Sequence, residues 1–314
     1  MTRRELVKAA IRHEETDRCP YCIELCGGAW EAIQPHVGTD DAAAFLDNDI
    51  EGVGIPWWGW FELPPDWAEP PTPSTRERVI GCGSYDGLAD RIKEQRERSD
   101  RYLLATIYGS HFEKAYFARG FEHFMMDIGA SPEWTKNFLT RIVDRNMVML
   151  ENILAIDEID GVLLGSDWGS QADLLMSPAV WEDMIRPGEQ REYDLVHSYG
   201  KDVWVHSCGK IDKVIPSLVE MGLDVLNPVQ PECMDIADLK AKFGDKLTFY
   251  GGISTQQTLP FGTPDEVKAE ARRVRDLMSK GGGYIFAPSQ GLQEDVPAEN
   301  LIALLEVARE KKRP

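Results

Sequence analysis

VWVHSCGK, residues 203–210, is the stretch on which the fold is decided. Val203 and Val205 alternate with Trp204 and His206, and strand side chains point alternately to opposite faces. The valines suit an outer face packed under helices, which turns Trp204 and His206 inward. His206 and Cys208 then point the same way at the strand's end. An imidazole and a thiolate two residues apart can both reach one Zn2+, with Gly209 leaving backbone room. The competing reading of this pair is a core histidine beside a buried thiol.

Outward from this stretch, short β-rich runs alternate with longer helical ones, the order expected of βα units around a parallel sheet. Eight strands are predicted, at 20–25, 50–55, 102–108, 161–164, 202–206, 224–226, 247–250 and 284–286, with an inserted hairpin strand at 77–85. Ser131-Pro132-Glu133 and Ser177-Pro178 place a side-chain acceptor before proline in a helical first turn, and Thr263-Pro264-Asp265-Glu266 is a capping box. Segment 56–73 holds Trp57, Trp58, Trp60 and Trp67, with five prolines after Pro56, and is expected to be a long irregular aromatic loop after the second strand. The expected class is α/β, as a single (β/α)8 TIM barrel spanning 1–314 with no linker or internal repeat.

Apolar residues make up 43% and charged residues 28%, a globular composition, and no apolar run approaches the roughly 18 residues of a membrane span. The opening MTRRELVKAAIRHEETD has no apolar signal core, so the expected location is cytoplasmic. A net charge of -19 repels phosphate backbones and anionic headgroups, which excludes nucleic acid and membrane as expected partners. For the six cysteines of such a chain, metal or catalytic use is a better expectation than disulfides.

Barrel chemistry sits just beyond the C-terminal ends of the strands. The predicted ends carry Glu24 and Cys26, Trp57 and Trp58, Tyr108 with His111, Asp167, His206 with Cys208, Asn227 with Gln230, Tyr250 with Gly251 and Gly252, and Ser289 with Gln290. In the first strand, Tyr21, Ile23 and Leu25 form an apolar outer face, which turns Cys22, Glu24 and Cys26 inward. Glu24 is then a buried carboxylate that must meet a cation or metal or bind a proton, unless it is an internal salt bridge or a solvated strand end. Asp167 follows the apolar GVLLGS and is placed to orient a ligand histidine, to act as general acid or base, or to cap the next helix. Trp57 and Trp58 either wall a substrate or merely pack onto the barrel mouth. Tyr108, His111, Asn227, Gln230 and Gln290 complete the expected substrate-binding set.

Three stretches, HSCGKIDKVIPSLVEMGLDVLNPVQ (206–230), FYGGISTQQTLPFGTPDEV (249–267) and GGGYIFAPSQGLQEDVPAENLIALLEVA (281–308), resemble the uroporphyrinogen decarboxylase superfamily. LVKAAIRHEETDRCP (6–20) and SDWGSQADLLMSPAVWEDMIRP (166–187) extend the resemblance to nearly the whole chain. It implies a TIM barrel and two branches of activity. The decarboxylases carry MRQAGR on the first strand, whose arginines meet a polycarboxylate, whereas IELCGG here places Glu24 and Gly28 at those positions. Their last-strand histidine, in a motif like NLGHGI, is Gln290 in APSQGL. The corrinoid-dependent methyltransferase branch is similar at H-x-C, which implies zinc on His206 and Cys208. The third ligand of that branch, a cysteine in a motif like SGC, is missing from Phe286-Ala287-Pro288. Glu24 is the first-choice replacement, ahead of Asp167 and Cys233.

The resulting expectation is a methyltransferase moving a methyl group between a small methylated substrate or thiol and a corrinoid protein, with zinc on His206, Cys208 and Glu24 and with Asp167, Glu24 and His206 as catalytic groups. The cobalamin-type cofactor would arrive on a partner protein or free; a homodimer is left open. The alternatives are a metal-independent decarboxylase or lyase of the same superfamily, and a non-catalytic corrinoid or tetrapyrrole binding protein.

Overall fold

The computed structural model describes residues 1–61 and 78–311. Its strands are β1 (Ile50–Val53), β2 (Trp57–Phe61), β3 (Arg78–Cys82), β4 (Tyr102–Thr106), β5 (Gly161–Gly165), β6 (Asp202–His206), β7 (Val225–Val229), β8 (Thr248–Ile253) and β9 (Tyr284–Pro288). Seven of them form one sheet in the order β1-β4-β5-β6-β7-β8-β9, with every neighbouring pair parallel. Parallel neighbours need long crossovers, and helices occupy the intervals after β4 through β9.

The first predicted strand, 20–25, is not a regular strand. It touches β9 through a bridge of Tyr21 to Phe286, with Cys22 N–H donating to the Phe286 carbonyl (3.1 Å) and Phe286 N–H to that of Pro20 (2.8 Å). On its other side Asp49 N–H donates to the Tyr21 carbonyl at 3.0 Å, and further up the Asn48 amide takes over. Asn48 Oδ1 accepts from Ile23 N–H and its Nδ2 donates to the Ile23 carbonyl, both at 2.9 Å. A side-chain amide thus satisfies the backbone groups that a neighbouring strand would otherwise pair. The segment therefore meets both edges of the sheet without pleating like its neighbours.

The expected alternation of faces is present, and it separates two cores. Val203 and Val205 of β6 join the outer core under the helices together with Tyr21 and Ile23. Cys22, Ile50, Tyr102, Leu104, Trp204, Val225, Tyr250, Ile285 and Ala287 make an inner core, plugged from below by Val7 and Ala10 of the helix Arg3–Ile11. Fully burying an aliphatic side chain of this kind contributes about 1.5–3 kcal/mol, so both faces favour the same strand register. The floor is polar but satisfied: Tyr102 Oη donates to Asp202 Oδ2 at 2.6 Å and accepts from Trp204 Nε1 at 3.1 Å.

Two expectations are corrected. Segment 56–73 is not irregular throughout: β2 pairs antiparallel with β3, the hairpin strand expected at 77–85, and Trp57 aligns with Cys82. Aromatic residues, which favour strands, occupy four of the five positions there before the proline-rich part begins. Trp67 and the five prolines lie outside the described residues. Ser131 precedes its helix but makes no side-chain cap bond, whereas Ser177 caps Val180 N–H and Thr263 with Glu266 forms the full capping box.

Asp49 is fully buried, and its carboxylate receives two 2.6 Å bonds from the Arg18 guanidinium and one of 2.9 Å from Tyr21 N–H. Asp49→Ala strands these donors, and a loss of about 3 kcal/mol is expected. A urea midpoint unchanged from wild type would contradict the assigned role.

Candidate metal centre and its cavity

His206 ends β6, and its ring orientation is set by β7. Its Nδ1 lies 2.5 Å from Asn227 Oδ1, so Nδ1 carries the proton and Nε2 keeps its lone pair. That Nε2 is 3.3 Å from Cys208 Sγ and 3.7 Å from Asp167 Oδ1. Asp167, just past β5, also accepts from Cys208 N–H at 2.7 Å. Asp167, His206 and Cys208 therefore offer three ligand atoms within 4.8 Å of one another, all partly exposed.

Backbone proximity makes this possible. A Cβ on Gly165 would stand 2.8 Å from His206 Cβ, so only glycine lets β5 approach β6 so closely at this end. Gly209 has φ +83°, a conformation side chains disfavour, and a Cβ there would meet the Ser170 carbonyl at 2.6 Å. Gln230 Oε1 accepts from Gly209 N–H at 3.1 Å and holds this turn.

His206 faces a cavity of about 70 Å³ among the strands, lined by Glu24, Leu104, Leu163, Trp204, His206, Asn227, Tyr250 and Gln290 among others. Beyond Cys208 lies a cleft of about 270 Å³ walled by amides and hydroxyls, including Gln171, Gln230, Thr255, Ser289 and Gln290. Among the described residues, neither lining contains a lysine or arginine.

Glu24 is not the buried carboxylate expected. Its side chain opens onto the cavity, and desolvation there pushes its carboxyl above the usual range, offset in part by His206. It shares the cavity with His206 but stands outside the three-ligand group, whose carboxylate is Asp167. The irregular backbone at 21–25 explains the difference, because inward alternation alone does not fix how far a side chain reaches across a ring. Cys208 is pushed up to about 12 by burial first and by Asp167 second. Cys22, Cys26, Cys208 and Cys233 form no disulfide.

Asn227 and Gln290 line the cavity, with Gln290 Oε1 3.8 Å from Cys208 Sγ. Tyr108 stands at the rim, 57% exposed and stacked on Phe117 with centroids 6.4 Å apart. Gln230 is buried and holds backbone. His111 is not at the mouth; it is fully buried among helices, because the turn after β4 folds it outward from the ring. Trp57 and Trp58 line a separate pocket with Tyr85, Arg145 and Asn152, drawn away by the hairpin they belong to. Sequence reading missed Glu113, which is buried on the helix Phe112–Arg119. Its carboxyl is pushed up by burial, accepts from Tyr116 Oη at 2.8 Å, and feels both Asp167 and His206. A charged pair, Glu113-Lys114, inside the aromatic run FEKAYF was the available signal.

Polar groups gathered at the C-terminal ends of a parallel α/β sheet define a TIM-barrel-like enzyme architecture. The family model described as Uroporphyrinogen decarboxylase (URO-D) matches residues 83–311, and the chain belongs to that family. A methyltransferase from Methanosarcina mazei shares the fold at a TM-score of 0.70 and 18% identity, over 98% of each chain. The methylcobamide:CoM methyltransferase MtaA of Methanosarcina barkeri is 30% identical over 131 residues, 42% of this chain and 36% of that protein. A uroporphyrinogen decarboxylase from Azoarcus sp. is 26% identical over 162 residues, 51% of this chain and 41% of that protein. The matches thus span about two fifths of these curated relatives.

Two outcomes are expected. Asn227→Ala frees the His206 ring and should weaken Zn2+ binding about 10–100-fold without unfolding the chain, read by competition with a chromophoric chelator. Because a thiol at about 12 must lose its proton to ligate, apparent Zn2+ affinity should rise with pH, by about tenfold per unit near neutrality for one released proton. A pH-independent affinity would exclude Cys208 as a ligand.

Proposed function

We propose that this chain is a methyltransferase moving a methyl group between a corrinoid, carried by a partner protein or free, and a small methylated molecule or thiol. The observation that carries this reading is the convergence of Asp167, His206 and Cys208 beside a cavity whose lining, among the described residues, holds no lysine or arginine. We read 1–314 as one barrel domain in which segment 21–25 takes the eighth position.

A carboxylate, an imidazole and a thiolate suit Zn2+, and Asn227 already holds the imidazole in the ligating tautomer. Bound there, zinc would supply Lewis acidity and lower the pKa of a thiol or leaving oxygen. A methylated corrinoid would supply the methyl group to the thiolate sulfur and keep the electron pair of the bond that is broken. The thiol proton must leave first, and Glu24, raised by its surroundings, is placed in the cavity to accept it. Asp167 positions Cys208 through its backbone N–H. Leu104, Leu163 and Trp204 form a dry wall behind the reacting groups.

Decarboxylation of a polycarboxylate fits the site poorly. Among the described residues the linings offer no guanidinium or ammonium, and Glu24 would repel the substrate. Small neutral or cationic substrates fit that electrostatic character.

The test uses methylcobalamin as donor, a panel of small thiols as acceptors, and the zinc-loaded protein, following the loss of the methylcobalamin absorbance. His206→Ala and Cys208→Ala should reduce transfer to the uncatalysed background. Undiminished turnover in His206→Ala, or full activity in chelator without any corrinoid, would overturn the proposal, the latter in favour of a lyase.

A further inference from the structure

A second group of ligand-type side chains lies one layer outside the cavity, between the turn after β4 and the helices Pro132–Leu154 and Arg186–Ser198. His111, Glu189 and Glu192 are each at 0% exposure, with ligand atoms within 4.8 Å of one another. Glu189 and Glu192 are three residues apart on one helix and so share a face. Ser110, also buried, reaches all three: its Oγ is 2.8 Å from Glu192 Oε2, 3.3 Å from Glu189 Oε1 and 3.4 Å from His111 Nδ1. His111 Nδ1 is 3.3 Å from Glu189 Oε1. Four N and O donors arranged tetrahedrally at zinc-ligand distances are separated by about 3.3 Å, which is the spacing these measured pairs approach.

Hydrogen bonding leaves the cluster incomplete. The Ser110 hydroxyl brings one proton and a neutral imidazole one N–H, while Asn146 Nδ2 donates to Glu192 Oε1 at 2.7 Å. Glu189 Oε2 and His111 Nε2 make no hydrogen bond of good geometry, although Tyr193 and the Ile185 carbonyl face Glu189 and the imidazole. The nearby cations are both turned elsewhere: Lys114 gives its ammonium to the Tyr108 carbonyl at 2.7 Å and Arg191 donates to Asp144 at 2.7 Å, so the two buried carboxylates face only offset charge. Burial pushes both glutamates up and His111 down to about 3, the directions expected where charge is under-compensated. Ser110 itself has φ +32°, a strained turn for a residue with a side chain. Either a proton shared between the carboxyls or a dication must supply the missing positive charge.

We propose that Ser110, His111, Glu189 and Glu192 form a buried structural site for a divalent first-row metal ion, zinc in particular, separate from the centre at His206 and Cys208. The ion would tie the turn after β4 to two helices and so hold the rim that carries Tyr108. Sealed from solvent, it would resist chelators that reach the partly exposed centre.

Metal analysis separates the two sites. Protein is purified from zinc-supplemented culture as wild type and as His206→Ala/Cys208→Ala, whose changes leave this cluster intact. The double variant should retain about one equivalent of zinc in the presence of EDTA and lose it when His111→Gln and Glu189→Gln are added. Anomalous scattering at the zinc edge from wild-type crystals should place an ion among these four side chains, which decides the matter even where the added changes prevent folding. A folded double variant with less than about 0.1 equivalent of zinc, or no anomalous peak there, would overturn the proposal and leave a carboxyl pair sharing a proton. Loss of zinc at His206 and Cys208 alone would count against the proposed function and leave this site standing.

Discussion

One buried carboxylate joins the two edges of the sheet. Asp49 is sealed from solvent between the Arg18 guanidinium and the Tyr21 amide, one residue before β1 begins. The adjacent Asn48 supplies in its side chain the donor and acceptor that a strand would supply from its backbone. Because these groups are satisfied locally, segment 21–25 keeps its inward and outward faces while departing from regular pairing. Cys22 therefore enters the inner core and Glu24 looks into the cavity, although the ladder itself is absent.

The candidate centre depends on the opposite device, the removal of side chains. β5 and β6 run close enough for Asp167 to grip the backbone of Cys208 only because Gly165 and Gly209 leave space. Asn227 on β7 then selects the His206 tautomer. Three neighbouring strands thus contribute one property each: a carboxylate, a donor pair, and the proton's position. Among the described residues, the lining of the cavity beside them carries no lysine or arginine, unlike a site built for polyanions.

Behind the rim, burial governs a different set of charges. Glu113, Lys114, Glu189 and Glu192 are all withdrawn from solvent within the helices that flank β4. Ionised groups in such surroundings need partners of matching number. Glu113 has Tyr116, and Lys114 has a backbone carbonyl. The two remaining glutamates are met by the neutral donors Ser110, Asn146 and Tyr193 and by the His111 ring, and it is this reliance on neutral donors that distinguishes the cluster from an ordinary buried salt bridge.

What the sequence alone determined is whatever rests on period and local chemistry. Seven predicted strands coincide with β1 and β4 through β9, and the faces of Val203, Trp204 and His206 follow from alternation. Sequence also placed His206, Cys208 and Asp167 at neighbouring strand ends, and the family resemblance agrees with the match over 83–311. Tertiary structure decided distances and directions. It made Asp167, not Glu24, the carboxylate nearest the His206–Cys208 pair, turned His111 into a sealed cluster, and carried Trp57 and Trp58 away on a hairpin. The physical reason is that alternation fixes only which face a side chain takes. How far it reaches depends on strand stagger, on glycine-permitted approach and on the turn after the strand, all set by residues distant in the chain.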